Sequence, residues 1–287
     1  MSRNGVFSAL IVCSLLLSAT AFADTPQRVT GIKTPESAVA GADGRVYVSE
    51  IGEFGKDGDG QISVIGADGK ATVFASGMDD PKGLVFFGEN LYVADKTRVL
   101  KVAPDGKWSV FAAAEAFPVT PQFLNDLEAD GFGNIYVSDS GDLKGKGGAV
   151  YRINKNGKVA LIVNGEKDAR VLAPNGLLMD GKDSLLEVDF ASGILYRIKI
   201  KDGAMEQVAS GFGGGDGIVR AANGTVYVSD WKDGRVFAVS KQGAVTLFHD
   251  GFMSAADIGL SHDGKYLLVP DMKAGELVWL PLEKKPN

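Results

Sequence analysis

The chain has 287 residues and carries 30 Lys and Arg against 36 Asp and Glu, a net charge of −6 with no basic cluster. That balance excludes nucleic acid and an anionic membrane surface as partners. Its single cysteine, Cys13, lies near the N-terminus, so the rest of the chain can form no disulfide, thiolate nucleophile or cysteine-ligated zinc site.

Residues 1–23 read as a secretory signal peptide. Arg3 precedes a mostly apolar stretch over 6–17, and Ala21-Phe22-Ala23 supplies a small-x-small cleavage pattern. The apolar stretch is shorter than the ~20 residues a membrane span needs. The expectation is therefore a protein free of the membrane after cleavage, periplasmic or secreted, with residues 24–287 as a single domain.

A β-like run over 27–32 comes next, without a partner nearby. Six copies of one unit follow, with a period of about forty residues. They cover 36–50, 82–95, 125–139, 175–189, 216–230 and 257–271, each opening on a polar residue and ending on an acid. In the copy at 216–230, two β-rich runs flank Asn223-Gly224, a hairpin signal that predicts a type I′ turn. Every copy then continues into a third strand, and all but the last into a fourth after turns such as Asp105-Gly106 and Gln242-Gly243.

Four-stranded antiparallel units at this period predict an all-β, six-bladed β-propeller. The sixth copy lacks a fourth strand after Leu282. Placing the run at 27–32 there closes the sixth blade and removes the last free edge. A solenoid of the same units is the alternative, and it would want capping repeats that the sequence does not show.

Antiparallel pairing sets the first residue of each copy beside its final acid, so both columns share one face of the disc. The longer connections, 51–60, 112–124, 140–148 and 164–174, gather on that face, where binding usually resides. The outer column (Glu50, Asp95, Asp139, Asp189, Asp230, Asp271) is nearly uniform and reads as turn chemistry. The inner column is polar but varied: Glu36, Lys82, Asn125, Asn175, Asp216, Asp257. Carboxylates and amides converging on a channel repel one another unless a cation joins them. With neither His nor Cys in the ring, the donors suit a hard divalent cation, and Ca2+ better than magnesium. A water-filled polar channel is the other reading.

The axial pattern of Glu in blade 1, Asn-Asp in blade 3, Asn-Gly in blade 4 and Asp-Gly in blade 5 resembles the senescence marker protein/gluconolactonase/luciferin-regenerating enzyme family. The resemblance covers essentially all of the chain after the signal. It implies that Glu36, Asn175 and Asp216 bind a divalent metal, usually calcium, and that Asn125 faces the substrate or a metal-bound water. It also implies hydrolysis of a lactone, a small-molecule substrate, with Asp216 as the base. The sugar-lactone enzymes of the family often read Arg-x-Asn-Asp-Gly in blade 3; here the stretch is Phe123-Leu124-Asn125-Asp126-Leu127, without that Arg or Gly.

The expectation is thus an exported, calcium-dependent, gluconolactonase-like hydrolase of a lactone or related ester. Asp216, or Asp126 beside the ring, takes a proton from water, and Lys82 binds an anionic group, the oxyanion, or an axial acid. The competing reading is a non-enzymatic propeller binding module whose metal is structural. Other signals are weak: residues 56–60 lack the rest of an EF-hand loop, and the Gly213–Gly215 run precedes a strand rather than a helix. His249 and His262 fall away from the axial mouth by sequence, which argues against a histidine relay.

Overall fold

The computed structural model describes Met1 and residues 27–66 and 68–282; the signal peptide expected over 1–23 lies outside these residues. Six four-stranded antiparallel sheets follow one another around a ring. Blade 1 is β2 (Pro35–Ala40), β3 (Val46–Glu50), β4 (Gly60–Ile65) and β5 (Ala71–Met78). Blade 2 is β6 (Pro81–Phe87), β7 (Asn90–Asp95), β8 (Arg98–Val102) and β9 (Trp108–Ala112). Blade 3 is β10 (Leu124–Ala129), β11 (Ile135–Asp139), β12 (Ala149–Ile153) and β13 (Val159–Asn164).

Blade 4 comprises β14 (Pro174–Met179), β15 (Ser184–Asp189), β16 (Ile194–Lys199) and β17 (Met205–Ser210). Blade 5 comprises β18 (Gly215–Arg220), β19 (Val226–Asp230), β20 (Arg235–Val239) and β21 (Val245–His249). The sixth sheet joins β22 (Gly259–Leu260), β23 (Tyr266–Asp271) and β24 (Glu276–Pro281) to β1 (Gln27–Thr30), as the sequence predicts. In that closure Gln27 pairs with Trp279 and Val29 with Leu277, and Arg28 forms an ion pair with Glu276.

The first strands of successive blades touch all the way round, from β2 against β6 to β22 against β2. A parallel bridge between Ser37 and Asp257 completes the ring. Apolar side chains pack mainly between blades. Ile62 and Val64 of blade 1 lie with Leu91 and Val93 of blade 2, and Tyr136 and Val150 of blade 3 lie with Leu185 and Ile198 of blade 4. Each blade therefore completes its neighbours' cores, which is why one repeat has no stable fold of its own. Among the described residues no helix is long and apolar enough to cross a membrane.

The turn at Asn223-Gly224 differs from the type I′ expectation. Among the described residues the non-glycine positive φ values belong to Thr34, Lys96 and Leu143, so Asn223 is not left-handed. Instead Gly224, at φ 87°, donates its N–H to the Ala221 carbonyl at 2.8 Å. A tight turn followed by a left-handed glycine adds one residue to the loop, the next commonest hairpin solution. The hydrogen bond recurs from Gly44 to Gly41, Gly106 to Ala103 and Gly157 to Asn154.

Candidate active site

The inner residues owe their direction to a bulge repeated from blade to blade. The residue before each one pairs with the outer acid: Pro35 with Glu50, Pro81 with Asp95, Leu124 with Asp139, Pro174 with Asp189 and Gly215 with Asp230. Regular pairing resumes only at Ala38, Leu84, Leu127, Leu177 and Ile218. Glu36, Lys82, Asn125, Asn175 and Asp216 thus sit where the ladder is interrupted, and a bulge re-aims the side chain it carries. Close packing of the strands makes small residues necessary beside them. A Cβ on Gly176 would collide with the Asp216 carbonyl oxygen, and one on Gly217 with Asp257.

The outer acids act as clasps. Asp139 accepts backbone N–H groups of Gln122, Phe123 and Gly141 at 2.8–3.0 Å. Asp95 holds Asp79 and Asp80 in the same way, and Asp271 holds Met253 and Ser254. Each ties the segment entering its blade to the end of the second strand, the local role its sequence uniformity suggests.

Five inner residues, Glu36, Lys82, Asn125, Asn175 and Asp216, line one cavity of about 230 Å³. All are buried, none more than 4% exposed. Their oxygens are left without partners: Glu36 Oε2, Asn125 Oδ1, Asn175 Oδ1 and Asp216 Oδ1 accept no hydrogen bond. The amide orientations are fixed from behind. Asn125 Nδ2 donates to Ser140 Oγ at 3.0 Å, and that hydroxyl donates to the Pro174 carbonyl at 2.7 Å. The Asn175 amide lies beside Asp216 and its backbone N–H beside the buried carboxylate of Glu187, and each offsets part of the rise that burial causes in that acid's pKa.

Buried polar atoms normally find partners, and four orphans around one space call for a ligand. Two carboxylate and two amide oxygens are a donor set that a hard, loosely coordinated cation such as calcium accepts. Among the described residues no group of three His, Cys, Asp or Glu is placed to hold a metal; amides complete this set. The residues present therefore fit the ion that the sequence predicts. The electrostatics agree. Burial pushes Glu36 well above the usual carboxylate range, with Asp216 and Asp257 adding to it and Lys82 opposing. Burial and then Asp257 push Asp216 up as well.

Lys82 makes no ion pair with an axial acid among the described residues. Its Nζ donates to the Asp80 carbonyl at 3.1 Å and lies 4.2 Å from the centroid of the Phe123 ring. Burial lowers its pKa, and the field of Glu36 resists the shift. Asp126 and Asp257 do not join the cavity wall. Asp126 accepts the N–H groups of Leu127 and Leu177, both at 2.6 Å. Asp257 accepts the Ser37 hydroxyl and lies beside Asp126; burial pushes it up to about 7. The two acids form a buried pair whose oxygens are already engaged, so only one of the two candidate bases, Asp216, reaches the cavity.

The remaining wall was not singled out from sequence, although a signal for it exists. The residue after each outer acid forms a third column: Ile51, Lys96, Ser140, Phe190, Trp231 and Met272. Each of the six donates its N–H back to the segment entering its own blade, as Trp231 does to the Gly214 carbonyl. Four of them, Ile51, Phe190, Trp231 and Met272, line the cavity, together with Phe54, Phe123 and Leu143.

Fold and site define a six-bladed propeller with an oxygen-lined axial pocket. The chain belongs to the SMP-30/gluconolactonase/LRE-like family, whose profile matches residues 79–250; Glu36 and Asp257 lie outside the matched span. Strictosidine synthase-like 3 of Arabidopsis thaliana is 32% identical over 117 residues, which make up 40% of this chain but only 28% of that protein. A gluconolactonase from Xanthomonas campestris superposes with a TM-score of 0.71 at 15% identity, covering 89% of this chain and 90% of that one. A structural-genomics target provisionally named a gluconolactonase gives 0.71 at 17% identity, over 92% and 96% of the two chains. A catalytically inactive variant of virginiamycin B lyase from Staphylococcus aureus, solved with quinupristin, gives 0.61 at 14% identity over 90% and 99%. At these identities the superpositions show a shared fold.

Proposed function

We propose that the protein is a metal-dependent hydrolase of a lactone or related ester, working in the axial cavity. One observation carries the proposal: four buried, unpartnered oxygens from Glu36, Asn125, Asn175 and Asp216 face a single cavity. Family membership supports the reaction class. Glu36, Asn175 and Asp216 would hold the ion, calcium being the best fit, and it would lend Lewis acidity to a substrate carbonyl.

The chain's own groups supply the rest. Asp216 turns an unpartnered carboxylate oxygen into the cavity, where it can take the proton of the water that attacks the carbonyl carbon. Asn125 offers its free Oδ1 to orient that water. Lys82 has N–H bonds to spare beyond the one given to Asp80, and in a dry pocket its charge steadies the developing oxyanion strongly. When the ring C–O bond breaks, the leaving oxygen takes the proton from Asp216, giving a hydroxy acid.

The test is proton release across a lactone panel after chelation and after calcium is restored, with wild type beside Asp216→Asn. Turnover that calcium restores in the wild type alone supports the proposal. Calcium-dependent stability without turnover of any lactone would overturn it in favour of a binding module pinned by its metal.

A further inference from the structure

Resting on that reading of the site, we infer that its substrate is a lactone carrying an alkyl or aryl substituent rather than a polyhydroxylated sugar ring. The argument begins with the third column. The same backbone N–H contact recurs at all six positions, while the side chains differ widely, from Lys96 and Ser140 to Ile51 and Trp231. Where the column meets the cavity it carries Ile51, Phe190, Trp231 and Met272. Ile51 and Met272 also pack with Ala256 in a small core, but Phe190 and Trp231 are only half-buried, and their apolar faces report on what the cavity receives.

A sugar ring needs hydrogen-bond partners around its edge, and a site lacking them leaves hydroxyls desolvated and unpaired. Above the oxygen set the wall offers almost none. Among the described residues its side-chain donors besides the two amides are Lys82 and the Trp231 indole, and the Asn125 amide nitrogen is already engaged with Ser140. The indole N–H of Trp231 is directed 3.2 Å from the Met272 sulfur. The nearby ammonium groups of Lys232 and Lys273 lie against the Phe190 and Trp231 rings.

The mouth continues the same chemistry outward. Phe54 lines the cavity yet remains 53% exposed, and Leu143 lines it at 36%. Leu143 is held at φ 61°, a conformation that costs energy in a bulky residue and gathers at functional sites. The cavity, about 230 Å³, is smaller than the ~300–1,000 Å³ of sites for drug-sized ligands. It takes the lactone ring and a short substituent, with longer chains passing between Phe54 and Leu143.

The test uses δ-lactones with substituents from methyl to pentyl beside D-glucono-1,5-lactone, and the corresponding lactams, which are not hydrolysed. Lactam binding is read from Trp231 fluorescence, with Trp231→Phe identifying the reporter among three tryptophans. We expect kcat/KM and lactam affinity to rise about fourfold per added CH2, and Phe54→Ser to remove much of the gain for the longer chains without changing Tm. Preference for the sugar lactone and its lactam would overturn the inference and leave the hydrolase standing. Alkyl-lactam binding with that chain-length dependence, but no lactone turned over, would uphold the ligand class and sink the hydrolase. Failure of every alkyl lactam to bind would overturn the inference.

Discussion

The Ser37 hydroxyl donates a 2.6 Å hydrogen bond to the Asp257 carboxylate, joining the first blade to the sixth. Burial holds Asp257 at about 7, whereas in an unfolded chain an Asp titrates near ~3.9. Between those values the folded protein keeps a proton that the unfolded chain has lost. The stability linked to it is complete below about pH 4 and is lost as the pH rises through about 7. In the presence of chelator, urea midpoints should therefore be higher at pH 5 than at pH 7.5, with a smaller difference in Asp257→Asn. Equal midpoints in the wild type would remove Asp257 as the source.

Calcium should stabilise the folded protein, because unpartnered oxygens in the cavity gain a ligand only when the ring is intact. At a thousandfold excess over Kd the gain is about 4 kcal/mol, roughly 10 °C in Tm for a chain of this size. Scanning calorimetry with and without chelator should show the shift in the wild type and lose it in Glu36→Ala. A Tm indifferent to calcium would remove the metal from the site.

Lys82→Met separates stability from turnover. Lys82 is among the largest side chains that are fully buried, and among the described residues no ion pair offsets its desolvation. Methionine fills a similar volume without the charge, so chemical denaturation should show stability unchanged or increased. Activity on a lactone substrate should fall about 10²–10³-fold, as when one oxyanion donor is removed. An activity loss matched by unfolding would point to a structural lysine.

Gly176→Ala forces a Cβ against the Asp216 carbonyl oxygen, where backbone on both sides leaves nothing to yield. The expected destabilisation is about 1–3 kcal/mol by urea titration, and calcium affinity should weaken because Asn175 and Asp216 are driven apart. Gly181→Ala, whose Cβ would meet open space at φ 77°, should cost stability while leaving calcium affinity unchanged.

The blade count, the closing strand at 27–30 and the ring of Glu36, Asn125, Asn175 and Asp216 are legible in the sequence because each follows from a repeat. A column recurring at one offset marks one place in a blade, and the wheel brings those places together. What the sequence hides is aim. The column places Asp126 one residue beside the ring member Asn125, but the letters do not show that its carboxylate turns onto the Leu127 and Leu177 N–H groups while Asp216 lines the cavity. That difference depends on which neighbouring backbone a bulged side chain happens to meet. The apolar wall was overlooked for another reason: Phe190 and Trp231 follow the outer acids closely enough to pass for ordinary strand residues.

The pairing of β1 with β24 also governs the order in which the molecule can mature. Arg28 and Glu276, partners in that sheet, are separated by 248 residues of sequence. The segment made among the first must wait for the one made among the last, and contacts of such long range are slow to form. Until they meet, the blade carrying Asp257 has an open edge, its bond to Ser37 has no fixed geometry, and Glu36 has no settled place. The assembled axial cavity should therefore arrive late and all at once, as a property of the finished circle rather than of any one blade.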